Sequence, residues 1–500
     1  MTMKIEMNRH LVWVSVFVVS TNAHAGLAQL LGSFSNELEN RSASAALKTY
    51  DDLIANAGCF DSMRAPAVVG ANGNIPVGPT CTGQTYQLFK NVRAIVHTGN
   101  DLTNDGATQF SLGLDKRGLG FALRWDAAEE YSVQGSLSSD YLREQIFSLS
   151  SRLTALRLGS QGFYSHAQAN YSGQSYYAVQ DSLVRGGGAG DDEVYSAWGG
   201  FLNYSGGRGT KAPTDLEDAF DFEGNQINAG IDYRINDAWI VGATLGLIDR
   251  RVDFDSSKSI VSGKVDASGV SVFPFAMYQF ENFYVNASLG YQKLKFDSVR
   301  AIRYPSLNPD IPSPNTETVA AVDAQNTSLF LGAGYNLSYK KFSLEPFIHL
   351  NGTTTKIDQF VERDVKQAAF DLVVADQKIN AANATLGATL RYTFTPAAAV
   401  ITPYITYELV TQKEDQARTI AARYVNSVSQ VNTFGVPTDL PDDEYSINTF
   451  GVSAVLRGAH QKVADGVLAG GLQAFFQYKV LKDLNNYEID MFEFGVRYEF

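Results

Sequence analysis

From about residue 192 onward, apolar and polar residues alternate with period two in short segments separated by turns. That period belongs to β-strands, whose successive side chains point to opposite faces. In 283–291 the odd positions Phe283, Val285, Ala287, Leu289 and Tyr291 are apolar, while Tyr284, Asn286, Ser288 and Gly290 between them are mostly polar or small. Residues 384–394 repeat this, with Ala384, Leu386, Ala388, Leu390, Tyr392 and Phe394 on one face and Thr385, Gly387, Thr389, Arg391 and Thr393 on the other. Strands of a transmembrane barrel, with one lipid face and one lumen face, read this way, and Arg391 is tolerable only on the wet side. Twelve such segments are centred near residues 199, 228, 244, 273, 288, 333, 347, 388, 405, 451, 473 and 494. An even count brings both ends of an antiparallel barrel to the same side.

The connections test that count, because outer-membrane barrels alternate short periplasmic turns with long external loops. Asn236-Asp237, Glu281-Asn282, Lys340-Lys341 and Pro396-Ala397-Ala398 follow strands two, four, six and eight, and a longer turn around 459–465 follows strand ten. The opposite connections, around 207–218, 251–264, 296–322, 354–378 and 412–444, are mostly long, and only 481–486 is brief. Tyr233 and Trp239, Phe280 and Phe283, and Tyr339 and Phe342 flank three short turns, where an aromatic girdle would meet the membrane boundary. A soluble sandwich or propeller needs an apolar inner face and has no use for aromatics beside alternate turns.

Upstream the period changes to that of helices. Leu142, Ile146, Leu149, Leu153 and Leu156 form one stripe over 139–158, with Ser138 or Ser139 as cap and Gly159 as stop. Arg143, Arg152 and Arg157 lie off the stripe, available to lumen carboxylates such as Asp232, Glu345, Glu493 and Glu499. Segments 35–56 and 82–103 also read as helices. At the start, Lys4 and Arg9, the apolar run Leu11 to Val19 and Ala23-His24-Ala25 read as a signal peptide cleaved before Gly26, the run being too short for a spanning helix.

Composition sharpens this picture. The 25 Tyr, 30 Phe and 43 Gly suit a barrel with interfacial girdles, and a net charge of -13 argues against nucleic acid as a partner. The two cysteines, Cys59 and Cys81, belong to an exported segment, so a disulfide is expected, contributing on the order of 3 kcal/mol to a small helical domain. Chemistry is sparse. Gly99-Asn100-Asp101-Leu102 is no nucleophile block, and His97 and His166 are the only histidines of the mature chain before the barrel. HExxH, P-loop and paired-cysteine zinc patterns are absent, so we expect no catalytic, cofactor or metal residues and no enzyme.

The last strand, Phe492-Glu493-Phe494-Gly495-Val496-Arg497-Tyr498-Glu499-Phe500, resembles the C-terminal sorting signal of outer-membrane barrels, with Phe500 and Tyr498 at its usual positions. A helix before twelve strands, joined to them through Gly186-Gly187-Gly188-Ala189-Gly190, resembles the autotransporter translocator over about residues 139–500. The resemblance implies an all-β transmembrane barrel of twelve antiparallel strands, threaded by a pore helix, with a small mainly α N-terminal domain. The expected division is 1–25 signal peptide, 26–138 passenger, 139–160 pore helix, 161–191 linker and 192–500 barrel. The implied partners are outer-membrane lipid, the general secretion machinery, periplasmic chaperones, the barrel-assembly machinery and an extracellular ligand. The passenger departs from the family by lacking β-helix repeats, and no Asn-Asn pair in the pore helix offers a self-cleavage site. Three functions remain open: a self-secreting surface protein, a channel with residues 26–160 as plug, and a passenger esterase.

Overall fold

The computed structural model describes residues 25–60, 81–161 and 198–499, apart from 237, 255–256, 258, 397–398, 415–417, 432, 458–459, 464–465 and 470. The expected signal peptide, nearly all of the linker, His166 and Phe500 therefore lie outside the described residues.

Twelve long strands close on themselves: β1 (Trp198–Lys211), β2 (Phe220–Arg234), β3 (Trp239–Phe254), β4 (Gly263–Phe280), β5 (Phe283–Arg303), β6 (Asn315–Tyr335), β7 (Phe342–Ile357), β8 (Gln377–Tyr392), β9 (Val400–Glu414), β10 (Glu444–Arg457), β11 (Leu472–Lys482) and β12 (Tyr487–Glu499). Each pairs antiparallel with its neighbours in sequence, and β12 returns to β1 with Gly199 opposite Glu499 and Lys211 opposite Tyr487. Closure leaves no free edge, which a sheet in hydrocarbon requires. The strand count and the alternation of connections agree with the sequence pattern.

The loops do not. The segment expected to connect 296–322 is mostly strand, because β5 runs to Arg303 and β6 starts at Asn315. The connections after β7 and β9 hold Phe360–Val361, Leu372–Val374, Thr419–Tyr424 and Phe434–Pro437, which form a four-stranded sheet of their own. The cause is a change of phase. On β5 the odd residues Phe283, Leu289 and Tyr291 face outward and apolar, after which Lys293, Lys295 and Asp297 take the outer face and Leu294 and Phe296 the inner one. A phase change reads as a strand end when only the alternation is followed. The outer apolar band, with Leu245, Leu289 and Leu386 more than 60% exposed, marks the hydrocarbon zone. Aromatic pairs Trp198–Tyr233, Trp239–Tyr278 and Phe342–Tyr392 border it at the short-turn end.

Above the band, the inner wall residues Phe222, Ile248, Val252, Val265, Leu294, Phe296, Val322 and Ile357 share one buried core with four helices. These are α1 (Ala25–Leu30), α2 (Glu37–Ala57), α3 (Gly83–Thr103) and α4 (Lys116–Asp126). Helix α2 is capped by the Asn36 side chain, which accepts from the Glu39 amide, and ends on Gly58 at φ 68°, a conformation that favours glycine. Tyr50 of α2 stacks on Phe89 of α3 at 5.4 Å. The Cys59–Cys81 disulfide closes this helical pair.

Helix α5 runs Ser132–Gln161, seven residues earlier than the expected start. Ser138 is not its cap, since its hydroxyl donates to the Gln134 carbonyl inside the helix, and Gly159 does not stop it. Val133, Gln134 and Leu137 are buried beneath the helical unit, so tertiary packing extends the helix beyond the leucine stripe.

Candidate pore site: the lumen helix and its cap

Helix α5 passes down the lumen. At its start the Ser138 carbonyl accepts from Asn326 Nδ2 at 3.1 Å, near the outer limit of the apolar band. Further along, Ile146, Leu149 and Leu153 pack on Ile240, Phe275, Met277 and Phe330 of the inner wall, close to the short turns. These three carry out the expected stripe; the side chains of Leu142 and Leu156 lie outside the described residues. The polar side of the helix meets a polar wall. Ser148 Oγ accepts from Asn228 Nδ2 at 3.0 Å and lies 3.3 Å from Asn203 Nδ2, and Ser151 Oγ accepts from Gln477 Nε2 at 2.6 Å. The Lys479 ammonium sits 4.1 Å over the Phe147 ring, a cation–π contact. Beside the helix a cavity of about 90 Å³ remains, bordered by Thr154, His349, Arg391, Tyr404 and Glu408. Such a space holds water rather than a second chain.

The lumen carboxylates find partners on the wall. Arg391 Nη1 donates to Glu345 at 2.8 Å, Arg497 forms ion pairs with Asp232 at 3.1 Å and with Glu499, and Glu493 accepts from Gln477 and Ser151. Adjacent strands hold such groups at fixed separation, which costs less side-chain entropy than reaching across the lumen. The side chains of Arg143, Arg152 and Arg157, assigned to those carboxylates on sequence grounds, lie outside the described residues. Tyr498 is described: it faces outward at the short-turn end, opposite Gly200 and Leu472.

At the external mouth, buried ion pairs lie where the helical unit meets the wall, and the Trp125 carbonyl accepts from Arg300 Nη1 at 3.4 Å. Arg300 of β5 donates to Glu362 through Nε at 2.9 Å and Nη2 at 2.7 Å, and Nη2 also reaches the Phe370 carbonyl at 2.8 Å. Glu362 accepts in addition from Thr318, from the Leu372 amide and from the Tyr131 hydroxyl just before α5. Arg124 of α4 forks onto Glu129 at 3.1 and 2.7 Å and lies 3.8 Å from Asp218, ahead of β2. Fully satisfied buried pairs of this kind specify one arrangement, and breaking one is far costlier than its net contribution. Asp126 accepts from Tyr424 at 3.2 Å, and burial pushes its carboxyl up to about 6; burial pushes Glu130 up to about 8. Sequence reasoning missed this layer because its partners stand 62 or more positions apart for Arg300–Glu362, Tyr131–Glu362 and Asp126–Tyr424. The unread signal was the phase change in β5.

Two of the residues weighed for chemistry, His97 and Asp101, take part in packing. His97 is wholly buried and its Nδ1 accepts from the Phe110 amide at 3.2 Å, while Asp101 accepts from Ser111 at 2.9 Å. At Gly99 a Cβ would lie 2.7 Å from Leu27, so this glycine lets α1 settle against α3.

A family model described as the autotransporter beta-domain matches residues 200–461. Among solved structures, the translocator domain of the autotransporter NalP from Neisseria meningitidis is similar at 14% identity, over 62% of this chain and 90% of that one, with a TM-score of 0.43. The β-domain of the Bordetella autotransporter BrkA is similar at 13% identity, over 61% of this chain and 100% of that one, with a TM-score of 0.39. Comparison with curated protein sequences finds no match.

Proposed function

From the premise that this chain belongs to the autotransporter β-domain family, we infer that its outer-membrane translocator barrel carries α1–α4 through its own lumen and keeps them docked at the external mouth. The observation that supports this most is the path of α5. It leaves the helical unit above the apolar band and descends to the short-turn end, where β1 begins. A segment entering from that end reaches the outer mouth only through the pore. The docked unit stays attached and works by binding an extracellular ligand rather than by catalysis, a reading supported by the burial of His97 and its use as a hydrogen-bond acceptor in packing. Delivery rests on the general secretion machinery, periplasmic chaperones and the barrel-assembly machinery. The shared core also gives substance to a second reading, a channel whose helical unit is a resident plug.

Cysteine labelling on intact cells with a membrane-impermeant maleimide tests the first reading. Ser35→Cys, in the exposed turn before α2, should label as readily as Pro309→Cys in an external loop. Lys341→Cys, in a short turn, should label only after the outer membrane is permeabilised. If Ser35→Cys follows Lys341→Cys instead, the helical unit is periplasmic and the surface reading falls.

A further inference from the structure

We propose that the outer face of β5–β8 carries a binding site for the phosphates of an outer-leaflet glycolipid, built on Lys293, Lys356 and Lys378. The register sets these residues in one row. Lys293 stands opposite Gln325, Gln325 opposite Lys356, and Lys356 directly opposite Lys378. All three lysines are exposed and point outward, and among the described residues none of their ammonium groups forms an ion pair.

Like charges directly opposed on neighbouring strands are destabilising. Where like charges do face each other elsewhere on the same outer rim, as Asp266 faces Asp297, cations neutralise them, Arg251 and Lys264 on Asp266 and Lys295 on Asp297; Arg208 likewise pairs with Asp490. The Lys356–Lys378 pair departs from that habit, and one register row, Tyr291, Thr327, Thr354 and Asn380, separates it from the upper edge of the apolar band, where Leu289 and Leu329 are exposed to lipid. The carboxylates of this face, Asp323, Asp358 and Asp376, stand one step further from the membrane. An anion approaching from the bilayer therefore meets the ammonium row first.

Below the row, Gly352 stands opposite Leu329 and Ala382, and a side chain added there would meet nothing within 4 Å. This low strip on the lipid face gives an acyl chain a place to lie beneath a headgroup held by the lysines. Strands lie about 4.8 Å apart, so Lys293 and the Lys356–Lys378 pair offer two separated cationic points, which suits a headgroup with two phosphates better than one. The proposal is independent of whether the helical unit crosses the pore.

The test uses the full-length protein extracted from outer membranes in mild detergent, with heat-shifted gel mobility reporting the folded barrel and mass spectrometry counting retained lipid A. The double variant Lys356→Gln/Lys378→Gln should retain at least about tenfold less lipid A than the parent, since each lysine at an anionic surface adds to affinity. Lys264→Gln, on the ion-paired part of the rim, should retain as much as the parent. Lys378→Glu guards against misfolding: a carboxylate opposite Lys356 relieves the repulsion, so folding yield should hold or rise while lipid A is lost. Excess inorganic phosphate should not displace the glycolipid, and enzymatically dephosphorylated lipid A should not be retained. Equal retention by the folded double variant, equal retention of dephosphorylated lipid A, or displacement by inorganic phosphate would each overturn the proposal.

Discussion

In the hydrocarbon zone the barrel wall is apolar outside and mostly polar inside, apart from the patch of Ile240, Phe275, Met277 and Phe330; further out on the same strands it is polar outside and mostly apolar inside. On β5 the outward Leu289 and Tyr291 give way to Lys293 and Lys295, while the inward Asn286 and Gln292 give way to Leu294 and Phe296. On β3 the outward Leu245 and Leu247 are followed by Asp249 and Arg251, and the inward Thr244 by Ile248 and Val252. A strand's alternation therefore has a phase set by the two media it separates. Lipid outside and the polar side of a helix inside demand one phase; water outside and a folded helical unit inside demand the other.

The sharpest way to break the outer region is to leave its buried charge alone. Arg300→Ala strips the partner from a fully buried Glu362, and the helical unit should lose about 3–5 kcal/mol of docking stability. Limited proteolysis should then cut α2–α4 while the heat-shifted barrel band persists; an uncut helical unit would mean that the ion pair does not secure docking. Next comes a matched pair across the boundary. Leu289→Lys puts a charge on the lipid face and should cost about 2–4 kcal/mol in folding titrations into lipid vesicles. Lys295→Leu, three register steps further out, should change stability by less than about 0.5 kcal/mol, because its side chain already stands in water. Equal effects at both sites would erase the boundary drawn between Tyr291 and Lys293.

A further expected effect is on pH dependence. The buried Glu130, near Arg300, Glu129 and Glu362, is raised to about 8, and Asp126, near Arg300, Tyr424, Tyr304 and Glu362, to about 6. Both carboxyls titrate near 4 in the unfolded chain, so the docked state binds protons more tightly. Their contribution is fully present below about pH 4 and is lost as pH rises through about 6 and then about 8. Amide exchange in α4 should therefore show protection, corrected for intrinsic rates, falling from pH 5 to beyond pH 8, with Glu130→Gln flattening the upper part of the fall. Protection that grows with pH would reverse the sign and contradict the burial of neutral carboxyls in this layer.

Much of the architecture was legible in residue order alone. Period two, the even strand count and short turns such as Glu281-Asn282 are local properties, because a strand facing lipid writes its environment into every second residue. The helical periods of α2 and α3, and the two cysteines that join them, are local in the same sense. What only the tertiary structure decided is the docking. Whether Leu294 and Phe296 end a strand or continue it with reversed phase depends on what fills the lumen above them, and α1–α4 lie about 170 to 270 positions away. The early start of α5 at Ser132, the Arg300–Glu362 pair and the wall partners of Glu345 and Asp232 follow from the same cause. Each forms between segments whose meeting is fixed by barrel closure, and no residue carries, in its own neighbourhood, a record of what closure brings beside it.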